Sequence, residues 1–115
     1  MAVVTWDGSA STAIGTAANW DVGVPDATSD VIIPDTSATN NPTLTGDVTW
    51  NSLTIQANGT LVGNASYTLT IDGEADGTGV TTDGYAVNID GIIGTLLNLT
   101  ITTAATTTID LNASS

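Results

Sequence analysis

Lysine, arginine, histidine, cysteine and phenylalanine are all missing from this chain of 115 residues. The missing cysteine rules out disulfides, thiolate nucleophiles, cysteine-held zinc and iron–sulfur clusters, and leaves the redox compartment open. The missing histidine restricts any metal to hard, oxygen-ligated ions. The missing lysine and arginine leave eleven aspartates and Glu74 with no basic side chain to pair with, for a net charge of −12. Such a surface repels phosphate backbones and anionic headgroups, so neither nucleic acid nor membrane insertion is expected among its partners. Repulsion among the carboxylates must be offset by burial, salt or divalent cations.

The same absences empty the catalytic inventory. Carboxylates, hydroxyls and two tyrosines remain, with no cation to stabilise an oxyanion. The chain is therefore read as not an enzyme; a carboxylate pair such as Asp72 with Asp76, of the kind glycosidases use, is the one alternative. No apolar run reaches membrane-spanning length, and the start Met1-Ala2-Val3-Val4 has no basic stretch of a secretory signal. A location outside cells would then require travel on a virus particle, another export route or a leader since removed.

What the chain does have is threonine, 23 residues of it, set in alternating patterns such as Leu53-Thr54-Ile55, Tyr67-Thr68-Leu69-Thr70-Ile71 and Leu97-Asn98-Leu99-Thr100-Ile101-Thr102. A period of two with β-branched residues on the polar face marks half-buried strands. Asp7-Gly8, Asn58-Gly59, Asp72-Gly73, Asp76-Gly77, Asp83-Gly84 and Asp90-Gly91 punctuate these runs as turns. Strands are expected near 2–6, 30–33, 43–50, 52–56, 60–62, 67–72, 86–90, 96–102 and 106–111, with one short capped helical turn over Ser11–Asn19. The three prolines all precede residue 50, which makes residues 1–50 a looped, Trp-rich cap region and 51–115 the regular part of a single β domain. The apolar pairs Leu53/Ile55, Leu69/Ile71, Val87/Ile89 and Leu97/Leu99 recur at separations of 16, 18 and 10 residues. That spacing suits an all-β fold of two kinds, a short-rung β-solenoid or a β-sandwich with uneven hairpins.

Thr5-Trp6-Asp7-Gly8, Thr16-Ala17-Ala18-Asn19-Trp20-Asp21, Val24-Pro25, Asp30-Val31-Ile32-Ile33-Pro34 and Ser52-Leu53-Thr54-Ile55 follow one another in an order that resembles the N-terminal segment of repetitive β-helical proteins. Those proteins occur among marine phage structural proteins and bacterial surface adhesins. The resemblance covers roughly residues 5–71, and Gly84-Tyr85-Ala86-Val87-Asn88 and residues 97–102 look like the rungs that follow. It implies a fibre, decoration protein or adhesin, and it carries over no catalytic residue.

Three motifs bear on ligands. Asp72, Glu74, Asp76 and Asp83, with Gly77 between, have the spacing of a calcium-binding loop, in which alternate oxygens wrap the ion and glycine permits the turn. The competing reading is an acidic turn between two strands. Trp6, Trp20 and Trp50 have the aromatic faces of a glycan-stacking platform, or else supply the bulk of a cap and core that lacks phenylalanine. Four N-x-[ST] sequons begin at Asn58, Asn64, Asn98 and Asn112 and arise readily by chance in so Asn- and Thr-rich a chain.

These features together predict a viral (phage) structural protein of fibre or capsid-decoration type, on the virion surface or extracellular. It would associate with itself as a trimer or filament through strand edges, and with other virion or surface proteins. The alternative is an extracellular adhesin or glycan- or calcium-binding module. No cofactor other than calcium is implied.

Overall fold

The computed structural model describes residues 2–63, 66–71, 87–89, 91–94, 98–101 and 109–111. Ten strands are β1 (Ala2–Thr5), β2 (Ser29–Ile33), β3 (Val48–Trp50), β4 (Ser52–Ile55), β5 (Thr60–Val62), β6 (Thr68–Ile71), β7 (Val87–Ile89), β8 (Ile92–Gly94), β9 (Asn98–Ile101) and β10 (Ile109–Leu111). A three-residue 3-10 turn over Ala17–Asn19 is the only helical element among the described residues, so the chain is all-β.

The strands form three sheets, in the orders β1-β2-β4-β7-β10, β3-β6-β9 and β5-β8. Every ladder between named strands is parallel. Parallel neighbours need a long connection between them; β1 and β2 are joined through the loop that holds Ala17–Asn19, β2 and β4 through β3, and β4 and β7 through β5 and β6. The chain visits the sheets in turn: β4 lies in the first, β5 in another and β6 in the third. Partners in the first sheet are therefore far apart in sequence, Val31 and Leu53 by 22 residues and Leu53 and Val87 by 34. Single parallel bridges from Ala13 to Thr43 and from Thr43 to Val62 continue the β5-β8 sheet back toward the N-terminus.

Register keeps like beside like. Val31, Leu53 and Val87 are successive partners, as are Ile33, Ile55 and Ile89, while Trp50, Ile71 and Ile101 align in the second sheet. A one-residue slip would turn the buried Val31, Ile33, Trp50, Leu53, Ile55 and Ile71 to the wrong face. The inward residues of known placement form one core of Val4, Trp6, Ile14, Trp20, Val31, Ile33, Leu44, Trp50, Leu53, Ile55, Leu61, Leu69 and Ile71, with Val48 and Tyr67 against it. Each fully buried leucine or isoleucine contributes roughly 1.5–3 kcal/mol. β6 alternates as its Thr-Leu-Thr-Ile sequence requires, but β4 is buried on both faces, Ser52 and Thr54 included.

Several expectations are corrected by this topology. The 16- and 18-residue separations are not rung repeats, because Leu53/Ile55 and Leu69/Ile71 lie in different sheets and the true partners stand 21 to 34 residues apart. A period of two reveals a strand but not which sheet it joins. Asn58-Gly59 does turn the chain, with Asn58 at φ 66° and the Gly59 N–H donating to the Gln56 carbonyl at 2.9 Å. It rounds a corner between sheets, however, since β4 and β5 are not partners. The turn foreseen over Ser11–Asn19 shrinks to Ala17–Asn19, and Thr16 makes no side-chain capping bond there. Within residues 1–50, β1, β2 and β3 enter the same ladders as the later strands.

Backbone stacks on backbone at one corner. A methyl group at Gly59 would stand 2.5 Å from the Pro34 carbonyl oxygen and 2.9 Å from that of Ile33. At Gly91 it would fall inside contact distance of the Gly59 carbonyl and 2.7 Å from both the Gln56 oxygen and Ile55 Cγ2. The corner after β2, the corner after β4 and the corner after β7 thus rest directly on one another.

Candidate functional site

The three tryptophans gather within the core. Trp6 and Trp20 meet edge to face with centroids 5.0 Å apart, and Trp20 and Trp50 do likewise at 6.1 Å. They are 1%, 3% and 1% exposed, so no ring face is open for a sugar to stack on, and their placement is that of core residues. The polar edges of Trp20 and Trp6 are both used inside the fold. Trp20 Nε1–H donates to the Ile14 carbonyl and Trp6 Nε1–H to the Asn40 carbonyl, each at 2.8 Å.

That second bond anchors a polar surface feature. Asn40 Nδ2 donates back to the Gly8 carbonyl at 2.8 Å, and the Asn40 N–H reaches the same oxygen at 3.3 Å. Gly8, at φ +60°, lies so close that a methyl group there would be 2.5 Å from Trp6 Nε1 and 2.7 Å from the Asn40 oxygen. The Asp7-Gly8 turn and residues 35–41 are therefore clamped together over the Trp6 edge. The loop is also braced from within. The Ser37 N–H donates to Asp35 Oδ1 at 2.8 Å, the Ser37 hydroxyl donates to the same oxygen, and the Thr39 N–H donates to the Thr36 carbonyl at 3.3 Å. Donation by the Ser37 hydroxyl, then by its N–H, holds the exposed Asp35 carboxyl below its ordinary value. Asp26 is lowered in the same way, first by the Thr28 hydroxyl and then by the Thr28 N–H.

An open hollow lies on either side of this loop. One, of about 570 Å³, is lined by Asp7, Gly8, Ser9, Ser37, Ala38, Thr39 and Asn40. The other, of about 480 Å³, is lined by Thr36, Ser37, Thr39, Asn41, Asn58 and Thr60. Ser37 and Thr39 form the ridge between them. Hydroxyl, amide and one carboxylate group line these walls, with no aromatic ring and no cation.

Two buried polar centres hold the surrounding scaffold. Asn19, fully buried, accepts from the N–H groups of Ala10 and Ser11 at 2.9 Å and donates to the Ser11 hydroxyl at 3.0 Å and the Ala13 carbonyl at 2.9 Å. It thereby shapes the whole 9–19 loop. Asp30, 1% exposed, accepts from Asn51 Nδ2 at 2.7 Å and from the Ser52 hydroxyl at 2.5 Å, tying the second residue of β2 to the start of β4 inside the protein. A buried carboxylate needs such donors because no cation is there to pair with it.

The foreseen calcium ligands Asp72, Glu74, Asp76 and Asp83 lie outside the described residues, as does the Asp72–Asp76 carboxylate pair. Among the described residues no group of three or more acidic side chains is placed to hold a metal ion. Sequence reasoning singled out the tryptophans but missed Asn40 and the loop it anchors; Asn19 and Asp30 appeared only inside quoted motifs. Their signal was an amide or carboxylate amid small residues, which does not distinguish a buried polar centre from a surface turn.

The described residues define the class: an all-β chain of parallel strands stacked in register in three sheets. No helix among them is long and apolar enough to cross a membrane. Comparison with protein-family models, with curated proteins and with solved structures found no match.

Proposed function

We propose that this chain is a short-rung β-solenoid serving as a virion or extracellular structural module, of fibre or capsid-decoration type, that associates with itself through its β-structure. The observation that carries this reading is the continuous parallel ladder β1-β2-β4-β7-β10 with its like residues in register. A stack of this kind gains stability from each rung laid on the last, and its ends present strand edges that accept another strand. The β1 end is partly closed by the chain itself: the Thr5 N–H donates to Asp21 Oδ1 at 2.8 Å and the Asp21 N–H donates to the Thr5 carbonyl at 3.0 Å. The opposite edge of the described sheet, β10, is the better face for a further strand. The lack of lysine and arginine leaves no site for proteases that cut after basic residues, an advantage for a particle outside cells.

Light scattering and negative-stain microscopy at low salt, and again at sea-salt levels of sodium and calcium, test the proposal. A discrete trimer or a growing filament is expected once salt screens the −12 charge. A monomer under both conditions would sink the self-association reading.

A further inference from the structure

We infer that the two hollows flanking residues 36–41 together form a binding site for a neutral, polyhydroxylated ligand: a saccharide bearing no carboxylate, sulfate or phosphate. Both hollows are open to solvent, of about 570 and 480 Å³, so a ligand would lie along the surface rather than inside a cleft. The lining selects the chemistry. With mainly polar walls, Ala38 and threonine methyls their apolar part, and no aromatic ring, the site offers little to a lipid or a flat ring. With Asp7 in one wall, Asp35 beside the loop and no basic side chain in the chain, it repels anions. Hydroxyl-rich neutral molecules remain, because each sugar hydroxyl both donates to a carboxylate or carbonyl and accepts from an amide or hydroxyl.

The groups that would meet such a ligand are free to do so. Asp7 Oδ1 takes the Ser9 N–H at 2.9 Å, and among the described residues its second oxygen, like the side chains of Asn41 and Asn58, makes no hydrogen bond. Thr39, exposed on the shared ridge, has a hydroxyl whose one contact is a long 3.5 Å approach to the Asn40 carbonyl. The walls beneath are fixed before any ligand arrives, by the Trp6–Asn40–Gly8 clamp and by the Asp35–Ser37 bonds, which reduces the ordering cost of binding. Trp6 thus contributes to sugar binding from behind the site rather than as a stacking face. Without stacking each site binds weakly, and display in many copies on a fibre would multiply its strength.

The test uses the single chain at low salt and so does not depend on assembly. Amide signals are followed by two-dimensional NMR during titration with maltotriose, with N-acetylchitotriose and with sialyllactose as the anionic counterpart. Saturable shifts confined to residues near Ser9, Ser37, Thr39, Asn41 and Thr60 are expected with at least one neutral sugar, and severalfold weaker shifts with sialyllactose. Thr39→Trp, which places an indole across the ridge, should abolish them. The paired change Asn41→Ala with Asn58→Gly, which removes both side-chain amides and suits the left-handed backbone at residue 58, should weaken them even if the tryptophan variant fails to fold. Absence of saturation with both neutral sugars, shifts centred elsewhere, or sialyllactose binding as well as they do would overturn the assignment.

Discussion

Replacing Gly91 by alanine tests whether the corners of the chain truly bear on one another. The new methyl group would meet the Gly59 carbonyl, the Gln56 oxygen and Ile55 Cγ2, the last two at 2.7 Å, and backbone oxygens cannot swing aside as the end of a side chain can. Forcing such a group into a filled space costs about 1–3 kcal/mol. Alanine also restricts the unfolded chain, which returns about 0.4–1 kcal/mol in favour of the folded state. The net expectation is a loss of about 1–2 kcal/mol, or a fall in Tm of about 4–8 °C at close to 4 °C per kcal/mol for a chain of this size. Gly46→Ala supplies the internal reference, since a methyl group there meets nothing within 4 Å. It changes the unfolded chain in the same way, so the difference between the two variants isolates the native contact. Urea titration with thermal melts measures both. If Gly91→Ala unfolds at or above the midpoint of Gly46→Ala, the corner stacking is wrong.

Asn19→Ala removes four hydrogen bonds from a fully buried amide and should cost about 3 kcal/mol, read as a lower urea midpoint; a shift below measurement error would contradict its role in the 9–19 loop. Asp30→Ala deprives Asn51 Nδ2 and the Ser52 hydroxyl of this acceptor and should cost about 1–3 kcal/mol, more than the same change at exposed Asp47. Because no basic side chain exists to lose a partner, added sodium chloride should raise Tm steadily, and a fall with salt would show that attraction rather than repulsion dominates the charges. Asp35 and Asp26 have folded pKa values below their ordinary ones, so their hydrogen bonds stabilise the fold fully above the ordinary carboxylate range and lose that effect as pH falls through the lowered values. The stability gap between the wild type and Asp35→Asn should therefore narrow as pH drops through that window; a gap independent of pH would refute the sign.

The strands were legible because threonine and apolar residues alternate so plainly at 52–55 and 68–71, and the all-β class followed from them. The pairing was not. Leu53 and Leu69 look alike in sequence, and only the placement of the corner at Asn58-Gly59 decides that one faces Val31 and the other Val48. A hairpin and a corner use the same Asn-Gly dipeptide, so the turn signal could not separate reversal from continuation. For the site, the tryptophans were conspicuous through their rarity, but burial depends on neighbours distant in sequence, such as Asn40 meeting Trp6 across 34 residues. The loop at 35–41 reads as ordinary turn composition, and its two hollows exist only because residues 7–9 and 58–60 are brought beside it.

The stacked parallel ladders also give the chain a mechanical character. Their hydrogen bonds run from strand to strand, so a pull across the first sheet from β1 to β10 loads those bonds lengthwise, one ladder after another. The 22 residues between Val31 and Leu53 could span about 75 Å, yet they stay held while β3 keeps its ladder to β6, and the 34 between Leu53 and Val87 stay held while β5 and β6 keep theirs to β8, β3 and β9. A chain of this design would lengthen under tension only where ladders in more than one sheet part together.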